Sequence, residues 1–126
     1  MTATKLGRVQ LRIMQYLWSN GRATAREITD ALNQSEPIAH STVQTLLRTL
    51  KDKGSIAHEV DGRTFVFVPL VKEDKYKRNA AGDLLHRVFG GDVRSLVAHL
   101  LQNEKVSRKE LDEIRRMIEE RGTTNR

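Results

Sequence analysis

Side chains that can hydrogen-bond to nucleic-acid bases and phosphates are concentrated between positions 42 and 51. Glutamine pairs with adenine, arginine pairs with guanine, and threonine offers thymine a hydroxyl or a methyl group. No acid interrupts this series before Asp52, and its members are Thr42, Gln44, Thr45, Arg48, Thr49 and Lys51. Ordinary solvated helices carry similar polar faces. The surrounding elements must therefore decide whether this series contacts DNA or only solvent.

Apolar residues at helical spacing run through the same segment. A pattern at i, i+3, i+4 and i+7, typical of a helix with one buried face, is formed by Val43, Leu46, Leu47 and Leu50. Gly54 provides the end of this third helix, whereas Ala39 and Ser41 both remain candidates for its N-cap. The polar series therefore lies on the outer side of the predicted helix.

Two shorter amphipathic patterns precede this helix. The first runs from Leu6 to Trp18 and stops at Asn20-Gly21. The second begins at a capping box, in which the Thr24 hydroxyl and the Glu27 carboxylate satisfy opposite backbone amides. Because the second helix lies next to the third in sequence, the cations near them are candidate phosphate contacts. These cations are Arg22, Arg26 and Lys53.

A β-hairpin is predicted directly after the third helix. Two β-prone runs, 56–60 and 63–68, flank the dipeptide Asp61-Gly62, which favours a two-residue type I′ turn. Arg63 lies beside this turn, where it could reach a DNA backbone or minor groove. Phe65 and Phe67 fall on one side of the second strand and are predicted to be core residues.

Three further helices are predicted beyond position 72. Gly90-Gly91 ends the fourth helix, and a capping box formed by Ser107 and Glu110 begins the sixth. These helices have more apolar surface than about fifty residues can bury by themselves, which indicates a dimer interface. The candidate interface residues are Leu84, Leu85, Val88, Phe89, Leu96, Val97, Leu100, Leu111, Ile114 and Ile118.

The order of elements defines the predicted fold class. The protein is expected to be mainly α with a small β-hairpin: an N-terminal winged helix-turn-helix over residues 1–71, followed by a three-helix C-terminal dimerisation module over residues 72–126. In a helix-turn-helix the second helix of the pair enters the DNA major groove. This places the polar face of the third helix against DNA, with Arg26, Lys51 and Arg63 as additional candidate contacts.

Composition narrows the remaining functional classes. The 126 residues contain no cysteine and have a net charge of +6, shared equally between residues 1–71 and 72–126. The sequence has no apolar run of the length that spans a membrane and no secretion signal, so we expect a cytoplasmic protein without a membrane partner. The four histidines are scattered, and no phosphate-binding loop is present. We therefore expect no enzymatic activity, no metal and no cofactor.

Two segments resemble the BlaI/MecI penicillinase-repressor family. The segment from Ser41 to Gly54 resembles its recognition helix, and the segment from Gly62 to Phe67 resembles its wing. The resemblance extends over nearly the whole chain and implies a homodimeric transcriptional repressor. The positions that match DNA contacts of the family are Thr42, Gln44, Thr45, Arg48 and Arg63. The C-terminal cysteines of the copper-responsive branch are absent, so copper sensing is not expected.

The resemblance also implies a mode of regulation. In β-lactam-responsive members, induction involves proteolysis at an Asn-Phe bond in the fifth helix, and the matching positions here are His99 and Leu100. These two residues form the candidate cleavage site for a regulatory protease. The alternative is that the fifth helix is simply packed core, because the Asn-Phe pair itself is absent.

The leading hypothesis is a repressor that binds a palindromic operator as a homodimer and is inactivated by proteolysis in its C-terminal module. One alternative is a ligand-responsive winged-helix regulator of another family. A second alternative, from a different functional class, is a helical protein-interaction module that does not bind DNA.

Overall fold

A computed structural model describes residues 6–124 and confirms a mainly α fold with a winged helix-turn-helix, a β-hairpin and three further helices. Within that range the elements are α1 (Arg8–Asn20), β1 (Ala23–Thr24), α2 (Ala25–Asn33), α3 (His40–Asp52), β2 (Ile56–Asp61), β3 (Thr64–Pro69), α4 (Glu73–Phe89), α5 (Val93–Asn103) and α6 (Arg108–Thr124). The chain divides into two compact units, and the division falls between Ala81 and Gly82, inside α4. The functional division at residues 71 and 72 stays a prediction.

The first unit has a single apolar core to which α1, α2, α3 and the sheet all contribute. Each helix presents a stripe of side chains at three- and four-residue spacing, because that spacing keeps them on one face. The most deeply buried side chains are Ile13, Met14, Leu17, Ile28, Val43, Leu47, Leu50 and Ile56. This core holds α2 and α3 as a helix-turn-helix pair.

Both ends of α3 are defined by backbone interactions. The N-cap is Ala39, one of the two candidates, and it makes no side-chain capping bond. At the other end Gly54 has a φ of +81°, its N–H donates to the carbonyl of Lys51 over 3.0 Å, and the N–H of Ser55 donates to the carbonyl of Leu50 over 2.9 Å. This pair of bonds is a Schellman motif, which explains the need for glycine.

The turn between α2 and α3 is fixed by Asn33. Its side-chain amide donates to the carbonyls of Thr29 and Ile38, over 2.8 and 2.9 Å, and its carbonyl oxygen accepts from the Ile38 N–H over 3.0 Å. Glu36, in the same turn, forms salt bridges with Arg8 and Arg12 of α1. These interactions set where α3 begins.

The sheet differs from the predicted hairpin in two respects. The strand order is β1-β3-β2, so a short strand pairs with β3 through Ala23 and Phe67. Two residues are too few to give a periodic signal in the sequence. Asp61 pairs with Thr64, which makes Gly62 and Arg63 the two loop residues.

The predicted type I′ turn at Asp61-Gly62 is therefore wrong. A type I′ turn needs a positive φ at both loop residues, whereas here only Gly62 has one, at +67°. Glycine at the first loop position, followed by a residue with negative φ, is the arrangement of a type II′ turn. The tip of the wing accordingly carries Arg63 itself.

The prediction that Phe65 is a core residue is also wrong. Phe67 is buried, but Phe65 is 52% exposed. The alternation along β3 does place both rings on one face, yet β1 pairs only with Val66 and Phe67, and Phe65 stacks on His58 nearer the hairpin tip. The outer ring consequently lies beyond the side chains that bury Phe67.

The second unit has well-capped helices but no interior. Asp92 caps α5 by accepting from the Ser95 N–H over 3.2 Å, and the predicted box of Ser107 and Glu110 caps α6 with two bonds of 3.0 Å. None of residues 82–123 is classed as fully buried. Among residues 6–124, no helix is long and apolar enough to cross a membrane.

Replacing Glu36 with Gln tests the link between α1 and the turn before α3. The hydrogen bond from Arg8, and then its charge, lower the pKa of the Glu36 carboxyl. A lowered folded-state pKa stabilises the fold above the unfolded pKa, and that contribution is lost as pH falls below the ordinary range of about 4. We expect Glu36→Gln to lower the melting temperature at pH 7, and we expect this deficit to shrink as the pH is lowered to 3.

The control is Asp30→Asn, which removes an exposed carboxylate from α2 that makes no ion pair with any of residues 6–124. Thermal unfolding of the three proteins at both pH values provides the measurement. An equal deficit for Glu36→Gln at pH 7 and pH 3 would contradict the assigned ion pair.

Candidate nucleic-acid interface

A groove lies between the start of α2, the outer face of α3 and the hairpin. Its volume is about 540 Å³. The residues that line it are Thr24, Ala25, Arg26, His40, Gln44, Leu47, Arg48, Lys51, His58, Arg63, Thr64, Phe65 and Phe67. The groove therefore joins the helix-turn-helix to the wing within the first unit.

The charge of the groove has one sign. Arg26, Arg48, Lys51 and Arg63 line it, and no acidic side chain does. Within the described range none of these four cations forms a salt bridge. Their charges are consequently not neutralised by the protein, which is the electrostatic arrangement that attracts a polyanion.

Most of the residues predicted to bind DNA meet in this groove. Arg26, Gln44, Arg48, Lys51 and Arg63 all line it, although they come from three separate elements. Thr42 and Thr45 are exposed on α3 but do not line the groove. Lys53 and Arg22 do not line the groove either. Lys53 is exposed after α3, and Arg22 forms a salt bridge of 3.6 Å with Glu59.

Hydrogen bonding within α3 limits what Thr45 can offer a ligand. Its hydroxyl donates to the carbonyl of Ser41 over 3.0 Å. The single hydroxyl hydrogen is therefore already used, and the exposed side chain presents a methyl group and oxygen lone pairs. Thr49 makes the same kind of bond to the carbonyl of Thr45 over 3.1 Å.

Two histidines that line the groove, His40 and His58, were not predicted as site residues. His58 stacks against Phe65, with ring centroids 4.3 Å apart, and His40 contributes the first residue of α3. The strand register places His58 opposite Phe67, on the same face as Phe65. Period-two alternation could have located His58, whereas His40 depended on the ambiguous N-cap.

No group of three or more His, Asp or Glu side chains is suited to holding a metal ion in the part of the chain that the structure describes. The groove is thus built from cations, amides, hydroxyls and rings. Such groups bind and orient a ligand, and the set includes no arrangement of acid, base and nucleophile that would point to catalysis.

Comparison with known sequences identifies the family. The sequence model described as penicillinase repressor matches residues 6–120. The chain belongs to the penicillinase repressor family. The penicillinase repressor of Bacillus licheniformis is 29% identical over 111 residues, covering 88% of this chain and 87% of that protein. The methicillin resistance regulatory protein MecI of Staphylococcus aureus is 25% identical over 114 residues, covering 90% and 93%.

Solved structures agree with this assignment. The solution structure of the DNA-binding domain of the repressor BlaI is 27% identical and covers 60% of this chain and 94% of that chain, with a TM-score of 0.53. A MarR family protein from Bacillus stearothermophilus shares the fold, with a TM-score of 0.52 at 20% identity, over 96% of this chain and 76% of that chain. Family membership and the winged-helix fold together support a DNA-binding transcriptional repressor.

Replacing Arg48 with Ala tests whether the groove binds DNA. Binding that neutralises phosphates weakens with salt, with a slope of about −0.9 per phosphate contact in a plot of log K against log salt. If Arg48 contacts a base, Arg48→Ala should lose about 1 to 3 kcal/mol of binding free energy for the sequence that contains that base. If Arg48 contacts a phosphate, the variant should bind all sequences more weakly and its salt slope should fall by about 1. Fluorescence anisotropy at several salt concentrations measures both quantities.

Arg22→Ala is the matched control, because it also removes one arginine from the first unit but outside the groove. We expect it to change affinity much less than Arg48→Ala does. Equal losses for the two variants would mean that only net charge matters.

Proposed function

We propose that this protein represses transcription by binding a palindromic operator as a homodimer. The observation that carries the proposal is the groove with four unneutralised cations, set beside the polar face of α3 in a member of the penicillinase repressor family. The alternative of an interaction module without DNA binding gives no reason for this arrangement.

The polar residues on the outer face of α3 have roles that follow from their chemistry. The recognition helix of a helix-turn-helix reads base edges from the major groove, and α3 occupies that position. Arg48 can donate two hydrogen bonds to guanine, and Gln44 can pair with adenine. Thr45 presents its methyl group to thymine, since its hydroxyl hydrogen is used inside the helix.

The remaining cations serve orientation. Arg26 lies at the start of α2, Lys51 near the end of α3 and Arg63 at the tip of the wing, so they flank the reading face on different sides. Contacts from such positions to phosphates fix the register of a protein on the duplex without reading sequence. A single recognition helix held in this way gives one half-site.

The second unit supports the homodimer. Its described helices have no fully buried residue, and exposed side chains include Leu84, Val88, Val93, Val97, Leu100, Leu101, Leu111, Met117 and Ile118. Leaving so much apolar surface in water is unfavourable by about 25 cal/mol per Å². A second copy of the same module would cover it, and two-fold symmetry would then present two α3 helices to two half-sites.

We further propose that cleavage at His99 and Leu100 inactivates the repressor. Both residues lie inside α5, where His99 Nδ1 bonds to the Ser95 carbonyl over 2.9 Å. A protease acts on extended chain, so the fifth helix must first open locally. Cleavage would separate Leu101 and all of α6 from the remaining interface residues and would leave the winged helix intact.

Footprinting on the DNA upstream of the protein's own gene, at about 50 mM and about 200 mM salt, tests the proposed function. We expect two protected half-sites related by a dyad, with centres about 34 to 36 Å apart or a multiple of that distance. Protection of one unpaired half-site, or binding without sequence preference at both salt concentrations, would overturn the proposal.

Placing a charge in the exposed apolar face of α5 should dissociate the dimer. We expect Val97→Asp to be monomeric by sedimentation, because the variant would bury an unpaired carboxylate. Loss of the linked second half-site should weaken operator binding by about 100- to 10,000-fold. Gln102→Asp introduces the same charge in the same helix and should remain dimeric. A dimeric Val97→Asp would contradict the assigned interface.

A chain truncated after Ala98 tests release by cleavage without knowledge of the protease. We expect this fragment to sediment as a monomer and to retain a folded winged helix, since the core of the first unit lies before Ala81. Its operator affinity should fall by the same avidity factor. A truncated chain that stays dimeric and binds as tightly as the full chain would rule out inactivation at this position.

A further inference from the structure

We propose that His40 reads an exocyclic amino group of a base, cytosine N4 or adenine N6, at the edge of each half-site. The inference rests on the proposed DNA binding and adds a specificity-determining residue to it. Its basis is the hydrogen-bond geometry of one buried hydroxyl, together with the position of the imidazole in the groove.

The hydroxyl of Thr29 has two neighbours at the same distance. Its Oγ1 lies 2.8 Å from the carbonyl oxygen of Ala25 and 2.8 Å from Nδ1 of His40. A hydroxyl has one hydrogen to donate, whereas a carbonyl oxygen can only accept. The hydrogen therefore goes to Ala25, because the opposite choice would leave two oxygens 2.8 Å apart without a hydrogen between them.

This assignment determines the tautomer of His40. Nδ1 must donate to Thr29 Oγ1, so in the neutral ring the hydrogen resides on Nδ1 and Nε2 carries a lone pair. Thr29 is only 3% exposed, and Asn33 holds the same backbone through the Thr29 carbonyl. The ring is thus anchored on its inner edge by a buried partner.

The outer edge of the ring has no partner within residues 6–124. Nε2 makes no hydrogen bond there, and His40 lines the same groove as Arg26 and Gln44. Arginine and lysine side chains can only donate, so the four groove cations match phosphates and guanine. Nε2 instead adds an acceptor whose orientation is fixed before any ligand binds.

The major groove offers a matching donor at two of the four bases. Cytosine presents the N4 amino group and adenine the N6 amino group, whereas guanine O6 and thymine O4 are acceptors. An acceptor on α3 therefore favours cytosine or adenine and is repelled by guanine or thymine at the same position. As the first residue of α3, His40 lies where recognition helices meet base edges.

Selection of duplexes from a randomised library, using the full-length protein, tests this role. His40→Asn keeps an N–H donor for Thr29 but removes Nε2. We expect it to select the wild-type operator at every position except one, where a preference for cytosine or adenine disappears. Affinity for the wild-type operator should fall about 5-fold or more. His86→Asn, a histidine substitution outside the groove, should select the unchanged operator.

Duplexes that lack a single amino group identify the base. At the position lost in His40→Asn, adenine is replaced by purine, or cytosine by 2-pyrimidinone, whichever the wild type selected. We expect the wild-type protein to lose as much affinity for this duplex as His40→Asn loses for the normal one, and the variant to bind both duplexes equally.

The outcomes separate this inference from the proposed function. A wild-type protein that selects no sequence refutes the proposed function itself. A wild-type protein that selects an operator, with His40→Asn selecting the same one at equal affinity, refutes the role of His40 alone. Uniform weakening across all sequences would indicate a phosphate contact and would also refute it. Imidazole ¹⁵N shifts that place the hydrogen on Nε2 would refute the tautomer.

Discussion

The burial of one face of α3 is the constraint on which the DNA-facing surface depends. Val43, Leu47 and Leu50 are essentially inaccessible to water, so rotation of the helix by even one residue would expose them. Each such side chain contributes about 1.5 to 3 kcal/mol by being buried. The outward direction of Gln44 and Arg48 is a consequence of this packing and needs no interaction of their own.

The two units differ in how they bury their apolar side chains. The first closes a core by combining three helices with a sheet. The second has capped helices, at Asp92 and Ser107, but its apolar side chains stay in contact with water. Local helix signals can thus be strong in a module that has no interior of its own, because capping and burial are independent contributions.

The sequence was most informative where periodicity and capping agree. The stripe of α3, the box at Thr24 and Glu27 and the box at Ser107 and Glu110 were all located correctly, since each depends on residues within one or two turns. The turn register, the strand β1 and the exposure of Phe65 were not. β1 and the exposure of Phe65 depend on which distant segments pack against β3, and the turn register depends on how β2 and β3 pair; a single sequence specifies neither directly.

The candidate site shows the same division. Five of the seven predicted DNA-binding residues converge on the groove. Helix periodicity turns Gln44, Arg48 and Lys51 outward, whereas Arg26 and Arg63 reach the groove from α2 and the wing. His40 was overlooked because the N-cap of α3 was ambiguous and because its proposed role depends on Thr29, eleven positions earlier, and on the direction of a hydroxyl hydrogen. Hydrogen-bond direction is a property of three-dimensional neighbours that residue type does not reveal.

In the proposed homodimer, a module without an interior would tie structural integrity to protein concentration. If its apolar surface is covered only by a second copy, the amount of protein acts as a stabilising ligand, worth about 1.4 kcal/mol for each tenfold rise in concentration. Newly made chains at low copy number would then leave α4 to α6 loosely formed and open to degradation. Promoter silencing would then begin only above a threshold concentration of the protein.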